Sequence, residues 1–514
     1  MKPKAFARES TGLVKNVSFL DSIALNFSNM SVGPLMTTIA GSTVATMVVV
    51  DVAGLNLVLA SAIAFALSIP QVVVYTMMSR RFPRTGGDYV WISRTFGGFW
   101  GSTLSFWGYT METLAFIALV VILVDYSIGG VGLTMGLDSW GALFSDGNTQ
   151  FVVGAVIFAI MIALNIAKPK AGFKIVTVLT LFGIFTLLLS MGVLLGAGQS
   201  GIENYINGLS QIPGLNLPSY AQVLASYTPS GLPGDVSLPN TIYIMPVMFA
   251  FVFPWLNAAP AVASEIKGST ALKWNVPVSA LLAFAFLMAI FGVMYGVSGM
   301  PFINALFHNQ AYAGFGVNFF SLAMGVANNS IIAWVIGLGW IAMQLGVIAY
   351  AVIIFSRYLI AQAMDRFLPT RLAYVSPRLG SPVIAHLLDL GITVVLVALT
   401  AYFFANISGI FGAIVAGMSY FVFVGLAAAT HAIRKESGSA KAILAAAGIL
   451  DAIVFGFITY QFLANPGFTG LNNVTYVYVI GTFVAGALIY QASRWYHKKR
   501  GIDISLNYKE LPPE

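Results

Sequence analysis

Apolar residues in this chain run together in stretches of about twenty or more, separated by short polar segments, rather than alternating with polar ones on a strand or surface-helix period. A helix needs roughly 20 apolar residues to cross a hydrocarbon layer about 30 Å thick. Such stretches fall near Phe19–Val49, Val52–Met78, Thr95–Tyr126, Phe151–Ala167, Ile175–Leu195, Ile242–Ile266, Val276–Tyr295, Ile331–Met364, Ile384–Phe404, Ile410–Ala432, Ala442–Phe462 and Val474–Tyr496. The pattern predicts an all-α integral membrane protein of about twelve transmembrane helices. One membrane domain, 19–496, follows a short segment, 1–18, and precedes a tail, 497–514.

Composition agrees, with 58% hydrophobic and only 8% charged residues, where a soluble domain carries about 25% charged. The net charge of +7 gains meaning from where the charges sit. All 25 Lys and Arg lie in the ends and loops that alternating spans bring to one face: Lys2 to Lys15, Arg80 to Arg94, Lys168 to Lys174, Lys267 and Lys273, Arg357 to Arg378, Arg434 to Lys441, and Arg494 to Lys509. The opposite loops, Gly129–Gln150, Ser200–Thr241 and Met300–Asn328, carry Asp138, Asp146, Glu203 and Asp235 but no Lys or Arg. The positive-inside rule then predicts a multi-pass cell-membrane protein with both termini in the cytoplasm. The basic residues are a topology signal, and no nucleic-acid partner is expected. The basic segment Met1–Ser18 precedes an apolar run too long for a signal peptide, so the first span is read as retained.

Two spans carry helix breakers near mid-membrane: Asn26-Phe-Ser-Asn-Met-Ser-Val-Gly-Pro34 and Phe251-Val-Phe-Pro-Trp-Leu-Asn-Ala-Ala-Pro260. Pro34, Pro254 and Pro260 each free backbone groups that lipid cannot satisfy. The breaks are five spans apart, so one helix runs outward and the other inward, as in inverted five-helix repeats. Such paired breaks are the sequence pointer to a transporter's central site. The repeats would span 19–195 and 242–433, with two additional helices over 442–496. Pro34 and Pro260 suit the first position of a new half-helix, with Ser31 and Asn257 near the caps. The half-helix after Gly33 would offer amides and a positive dipole end to a carboxylate. Carbonyls around Asn26–Asn29 and across Phe251, Val252 and Phe253 would suit an ammonium group. The competing reading is a pair of simple kinks.

Three motifs carry a resemblance. Ser79-Arg-Arg-Phe-Pro-Arg-Thr-Gly-Gly-Asp-Tyr-Val-Trp91, followed by Arg94-Thr-Phe-Gly97, resembles the loop between the second and third helices of the amino acid, polyamine and organocation (APC) permeases. Ser356-Arg-Tyr-Leu-Ile-Ala-Gln-Ala-Met-Asp-Arg-Phe-Leu-Pro369, with Ser381-Pro382, is similar to the loop after that superfamily's eighth helix, and Ala263-Ser-Glu-Ile-Lys-Gly268 to the end of its sixth. The resemblance implies a leucine-transporter-like fold, two inverted five-helix repeats plus two extra helices, and alternating access around the centre. It places Ser31, Val32 and Gly33 at the break that meets a substrate carboxylate, and Phe251 at an aromatic gate. The sequence departs from the pattern in three places: Ser-Val-Gly-Pro replaces Gly-Ser-Gly, Met77 replaces a common glutamate, and Asn257 stands where many relatives carry an acid.

Glu112, in Trp107-Gly-Tyr-Thr-Met-Glu-Thr113, lies well within the third span, where a charge costs several kcal/mol. The resemblance puts that helix on the lining of the side-chain pocket. Glu112 is therefore a proton carrier, a partner for a cationic substrate, or a protonated structural acid. Glu265, beside Lys267, reads as a salt-bridged cytoplasmic gate or anchor, and Asp389 and Asp451 as packing residues. Trp255 divides evenly between lining the pathway and packing. The middle of the eighth span, Gly346–Ile354, has no Ser or Thr for sodium, which favours protons, although no lysine occupies the middle of the fifth span as in some relatives.

No phosphate loop is present, and His308, His386, His431 and His497 lack metal-ligand spacing, so no cofactor, metal or catalytic constellation is expected. The reading is a secondary active transporter, not an enzyme, that moves amino acids, with proton coupling expected. Cationic amino acid or polyamine exchange is the alternative, and a passive channel or receptor the distant one. Its partners are a small-molecule substrate and the lipid bilayer. The substrate, the transport direction, the oligomeric state and the role of segment 200–241 stay open.

Overall fold

The computed structural model describes residues 11–38, 52–468 and 470–512, and among these it contains helices and isolated bridges but no strand. Among the described residues, eleven helices are long and apolar enough to cross a membrane. The expected first span runs as two pieces, α1 (Phe19–Asn29) and α2 (Val32–Thr38). Its remainder, 39–49, lies outside the described residues, as do the basic residues Lys2, Lys4 and Arg8.

The chain continues through α3 (Leu57–Arg81), α4 (Asp88–Phe96) and α5 (Gly98–Ser105). A π turn over Phe106–Met111 leads into α6 (Glu112–Thr134), and α7 (Gly147–Ala167) and α8 (Pro169–Ser210) follow. The sixth span is α9 (Leu238–Val252) with the single turn α10 (Ala258–Ala261). The rest are α11 (Ser269–Ser298), α12 (Ser330–Met364), α13 (Val383–Ile407), α14 (Ile414–Lys435), α15 (Gly438–Ala464) and α16 (Asn473–Lys498).

Helix α12 is the most enclosed of these, with 83% of its apolar window buried inside the protein. It packs on α6, α8 and α1, which makes it the inner wall of the site. The pairings repeat in a regular way: α3 packs on α11, α6 on α12, and α7 on α13, while α1 packs on α11 as α9 packs on α3.

Ion pairs gather the basic ends on one face. Lys174 Nζ reaches Asp21 Oδ1 at 2.8 Å, Arg357 grips Glu265, and Arg94 pairs with Asp365. Arg81 donates to both oxygens of Glu436, holding its carboxyl down at about 2. On the opposite face, α8 bends at Gly198 (φ 62°). Segment 200–241 then packs as a covering layer. Tyr227 Oη accepts from Gly54 N–H at 2.8 Å, Ser237 N–H donates to Gly54 C=O at 2.7 Å, and Tyr220 stacks on Phe302 with centroids 4.0 Å apart.

Candidate substrate site at the two helix breaks

The first helix stops at Asn29 because Ser31 takes a left-handed conformation (φ 52°) that a continuing helix cannot accommodate. Its side chain satisfies the break locally: Ser31 Oγ donates to Asn29 C=O at 3.0 Å, and Ser31 N–H donates to Ser28 C=O at 3.1 Å. The helical bonding of α2 restarts with Leu35 N–H to Ser31 C=O at 3.0 Å, which leaves the amides of Val32 and Gly33 unused by the helix itself. Gly33 is required by proximity, since a Cβ there would lie 2.5 Å from the Cβ of Met343 on α12.

The second break runs from Phe253 to Asn257. Three of its groups are satisfied by side chains from elsewhere. Gln71 of α3 donates to Pro254 C=O at 2.9 Å. Asn26 of α1 accepts from Ala259 N–H at 2.8 Å, capping α10 from across the site. Asn29 Nδ2 donates to Asn257 Oδ1 at 2.9 Å, joining the two breaks directly. All three side chains are buried.

Both prolines sit two residues later than their sequence context predicts. Pro34 and Pro260 each occupy the third position of their half-helix rather than the first. The physics is unchanged, because amides at the first three positions have no helical acceptor. The expected cap at Asn257 is also corrected: Asn257 occupies the cap position of α10 without capping it, and Asn26 supplies the hydrogen bond.

Glu112 follows the π turn directly, a device that recurs at functional sites. Its side chain is 4% exposed and has no hydrogen-bond or ion-pair partner among the described residues. It lies beside Trp255. A Cβ at position 417 would be 3.5 Å from Glu112 Cγ and 3.3 Å from Trp255 Cη2, so Gly417 keeps the space between them open. Trp255 anchors its Nε1 on Ala250 C=O at 2.8 Å and stacks on Phe116 with centroids 6.4 Å apart. Phe253 turns away to meet Phe65 at 5.7 Å, Phe251 is half-buried, and Val252 is fully buried. Of the sixth-span aromatics, Trp255 is therefore the one beside the acid.

A second cluster of polar groups lies between α1, α8 and α12. Ser28 Oγ and Thr180 Oγ1 are 2.7 Å apart, and the space among them, Ser31, Gly346 and Val347 is about 10 Å³, enough for one water at most. The eighth span offers no Ser or Thr here, as its sequence indicates, but the fifth supplies Thr180.

Glu265 is salt-bridged as expected, though to Arg357 rather than to its neighbour Lys267. The pair is bidentate at 2.9 and 2.9 Å, with both side chains buried, while Lys267 is exposed. Asp389 accepts from Thr393 at 3.0 Å, and Asp451 sits at the crossing of α14 and α15 beside Gly425. Sequence reasoning passed over Asp125, whose two carboxylate oxygens are buried beside Gly154 without a hydrogen-bond partner among the described residues. Its position inside an apolar run was the available signal. Among the described residues, no group of His, Asp and Glu is placed to hold a metal.

The chain matches the family model described as "Amino acid permease" over residues 17–485. It is also similar to proteins called uncharacterized transporters in Mycobacterium tuberculosis and Mycobacterium bovis. Each is 23% identical over 446 residues, which is 87% of this chain and 86% of the relative. The match covers both helix breaks, the third-span acid and the loops that pack beneath them, and the chain belongs to the amino acid permease family, within the APC superfamily.

Proposed function

We propose that this protein is a secondary active transporter that moves amino acids across the cell membrane by alternating access, with the basic face and both termini in the cytoplasm. The observation that carries the reading is the hydrogen bond between Asn29 and Asn257, which brings two mid-membrane helix breaks into one site. In a membrane, irregular backbone persists only where protein or a polar cavity satisfies it. The amides of Val32 and Gly33 bind the substrate carboxylate, and backbone carbonyls of the sixth-span break bind its ammonium. Asn29, Ser31, Phe251, Val252, Phe253, Trp255 and Asn257 complete the lining. Residues 19–195 and 242–433 act as inverted repeats of a leucine-transporter-like fold, a reading supported by the reciprocal helix pairings, with 442–496 added outside them.

Glu112 is the proton-coupling residue in this account. A buried carboxylate with no hydrogen-bond or ion-pair partner among the described residues is stable when it takes up a proton or meets a cation. The same observation supports a second reading, in which Glu112 pairs with the side chain of a cationic amino acid or polyamine against Trp255. Glu265, held by Arg357 at the basic face, serves in the cytoplasmic gate, with Lys267 at its rim.

Uptake of a labelled amino acid panel into proteoliposomes under an imposed pH gradient, in wild type and Glu112→Gln, tests these roles. Gradient-driven uptake that the substitution abolishes, with binding retained, is the expected result. Loss of cationic substrates alone, with wild-type transport indifferent to the gradient, favours the second reading. No transport of any amino acid or amine by the wild type overturns both.

A further inference from the structure

Asp88 opens α4 in the loop between the second and third spans, yet its side chain is 0% exposed. No cation pairs with it among the described residues. Instead it collects four donors from four different segments. Tyr75 of α3 donates at 2.5 Å, Tyr420 of α14 at 2.8 Å, Tyr358 of α12 donates to the same oxygen as Tyr420, and Asn257 Nδ2 lies 3.5 Å away. Tyr109, at the π turn, packs its ring against that of Tyr358, tilted by 30° with centroids 4.1 Å apart.

The loop also clasps α10 from below. Gly86 N–H donates to Ala261 C=O at 2.9 Å, and the hydroxyls of Thr85 and Ser264 are 2.7 Å apart. A Cβ at Gly87 would stand 3.0 Å from the Ala261 nitrogen, so only glycine (φ 46°) allows this approach. Burial pushes the Asp88 carboxyl up from its ordinary range, against the hydroxyls and amide that pull it down. Hydrogen bonds to a charged acceptor are about twice as strong as neutral ones, so these donors tie α3, α12, α14 and the sixth-span break to a single point.

Asn257 stands between that point and the other break. Its Oδ1 accepts from Asn29, while its Nδ2 faces Asp88 and, at 3.3 Å, the Tyr358 hydroxyl. We infer that Asp88 is the latch of the gate on the basic face, and that Asn257 is the link through which events at the paired breaks reach it. This rests on the alternating-access reading above. Opening toward that face separates α10 from α12 and α14, which requires the Asp88 contacts to part. A substrate group that competes for Asn29 weakens the Asn29–Asn257 bond and so frees the Asn257 amide from its fixed position.

The chain contains no cysteine, so a single one reports accessibility. Ala258→Cys, at a fully buried position next to Asn257, would be labelled with a membrane-impermeant maleimide in inside-out vesicles. In that background, Asp88→Asn removes the charge that holds the tyrosines, and Asn257→Asp sets a second carboxylate against the first. Each is expected to raise the labelling rate about tenfold, and the double variant, which again faces one carboxylate with one amide, to return within about threefold of the background. Tyr358→Phe and Tyr420→Phe each remove one donor without changing charge and are expected to raise labelling about threefold. These two carry the test where Asp88→Asn fails to fold. Folded single variants that label no faster than the background, or a double variant whose effects add, would overturn the latch. The readout needs no substrate: a protein that transports no amino acid but passes this test loses the proposed function and keeps the latch.

Discussion

At the first break the chain passes from one half-helix to the next over two residues, Met30 and Ser31, and satisfies itself with the Ser31 hydroxyl and amide. At the second it takes five residues, Phe253–Asn257, and restarts into a single turn. That second break is held by side chains from α1 and α3. The first break is thus a property of its own sequence, whereas the second is a property of its neighbours. A segment whose polar groups are satisfied from outside is released when those neighbours shift, so the second break is the element expected to move, and the first the frame it moves against.

Substitutions test this asymmetry at a distance. Asn26→Leu lies on the first helix, but its effect should fall on the second: Ala259 N–H loses its acceptor in a buried position, at a cost of about 1–3 kcal/mol. A lowered melting temperature in detergent, together with lost transport, is the expected outcome. Unchanged stability would mean that α10 does not depend on its borrowed cap. Gln71→Leu strips the donor from Pro254 C=O and should cost about 1 kcal/mol, less than Asn26→Leu because the Gln71 Oε1 is itself buried without a partner among the described residues.

Ser31→Gly sharpens the contrast. Glycine relieves the left-handed strain worth roughly 1 kcal/mol while losing one hydrogen bond of similar size, so the net change should stay within about 0.5 kcal/mol. A loss as large as that of Asn26→Leu would contradict a self-contained first break.

The smallest effect belongs to the Arg81–Glu436 tie, which touches neither break. Glu436 is held down at about 2 by Arg81, so its contribution to stability is complete above its ordinary value near 4.5. That contribution is lost as pH falls from there toward 2. Acid titration of thermal stability should show wild type above Glu436→Gln by a constant margin at pH values over about 4.5, with the margin closing through that window, and the same ranking among the break variants on either side of it.

The spans, the paired breaks and the third-span acid were legible because each leaves a local mark: a long apolar run, a proline inside one, a charge inside another. What escaped lay in tertiary partners. Nothing near Asn26 in sequence indicates that it caps a helix over two hundred residues away, and Glu265 chose Arg357 over the adjacent Lys267 because the chain turns Lys267 to the surface. The prolines were placed two residues early because proline tolerates any of the first three positions and the sequence does not distinguish among them. Asp88 was read within a loop motif, and loop acids are ordinarily solvated. Only the convergence of Tyr75, Tyr358 and Tyr420, far apart in the chain, reveals a buried hub.

The central claim is that the two breaks act as one substrate site through Asn29 and Asn257. Uptake of labelled amino acids by proteoliposomes carrying Asn29→Ala, Asn257→Ala and the double variant tests it most directly. If the pair works as a unit, each single variant loses about tenfold or more and the double variant is little worse than either. Wild-type rates in either single variant, or losses that multiply in the double, would contradict it.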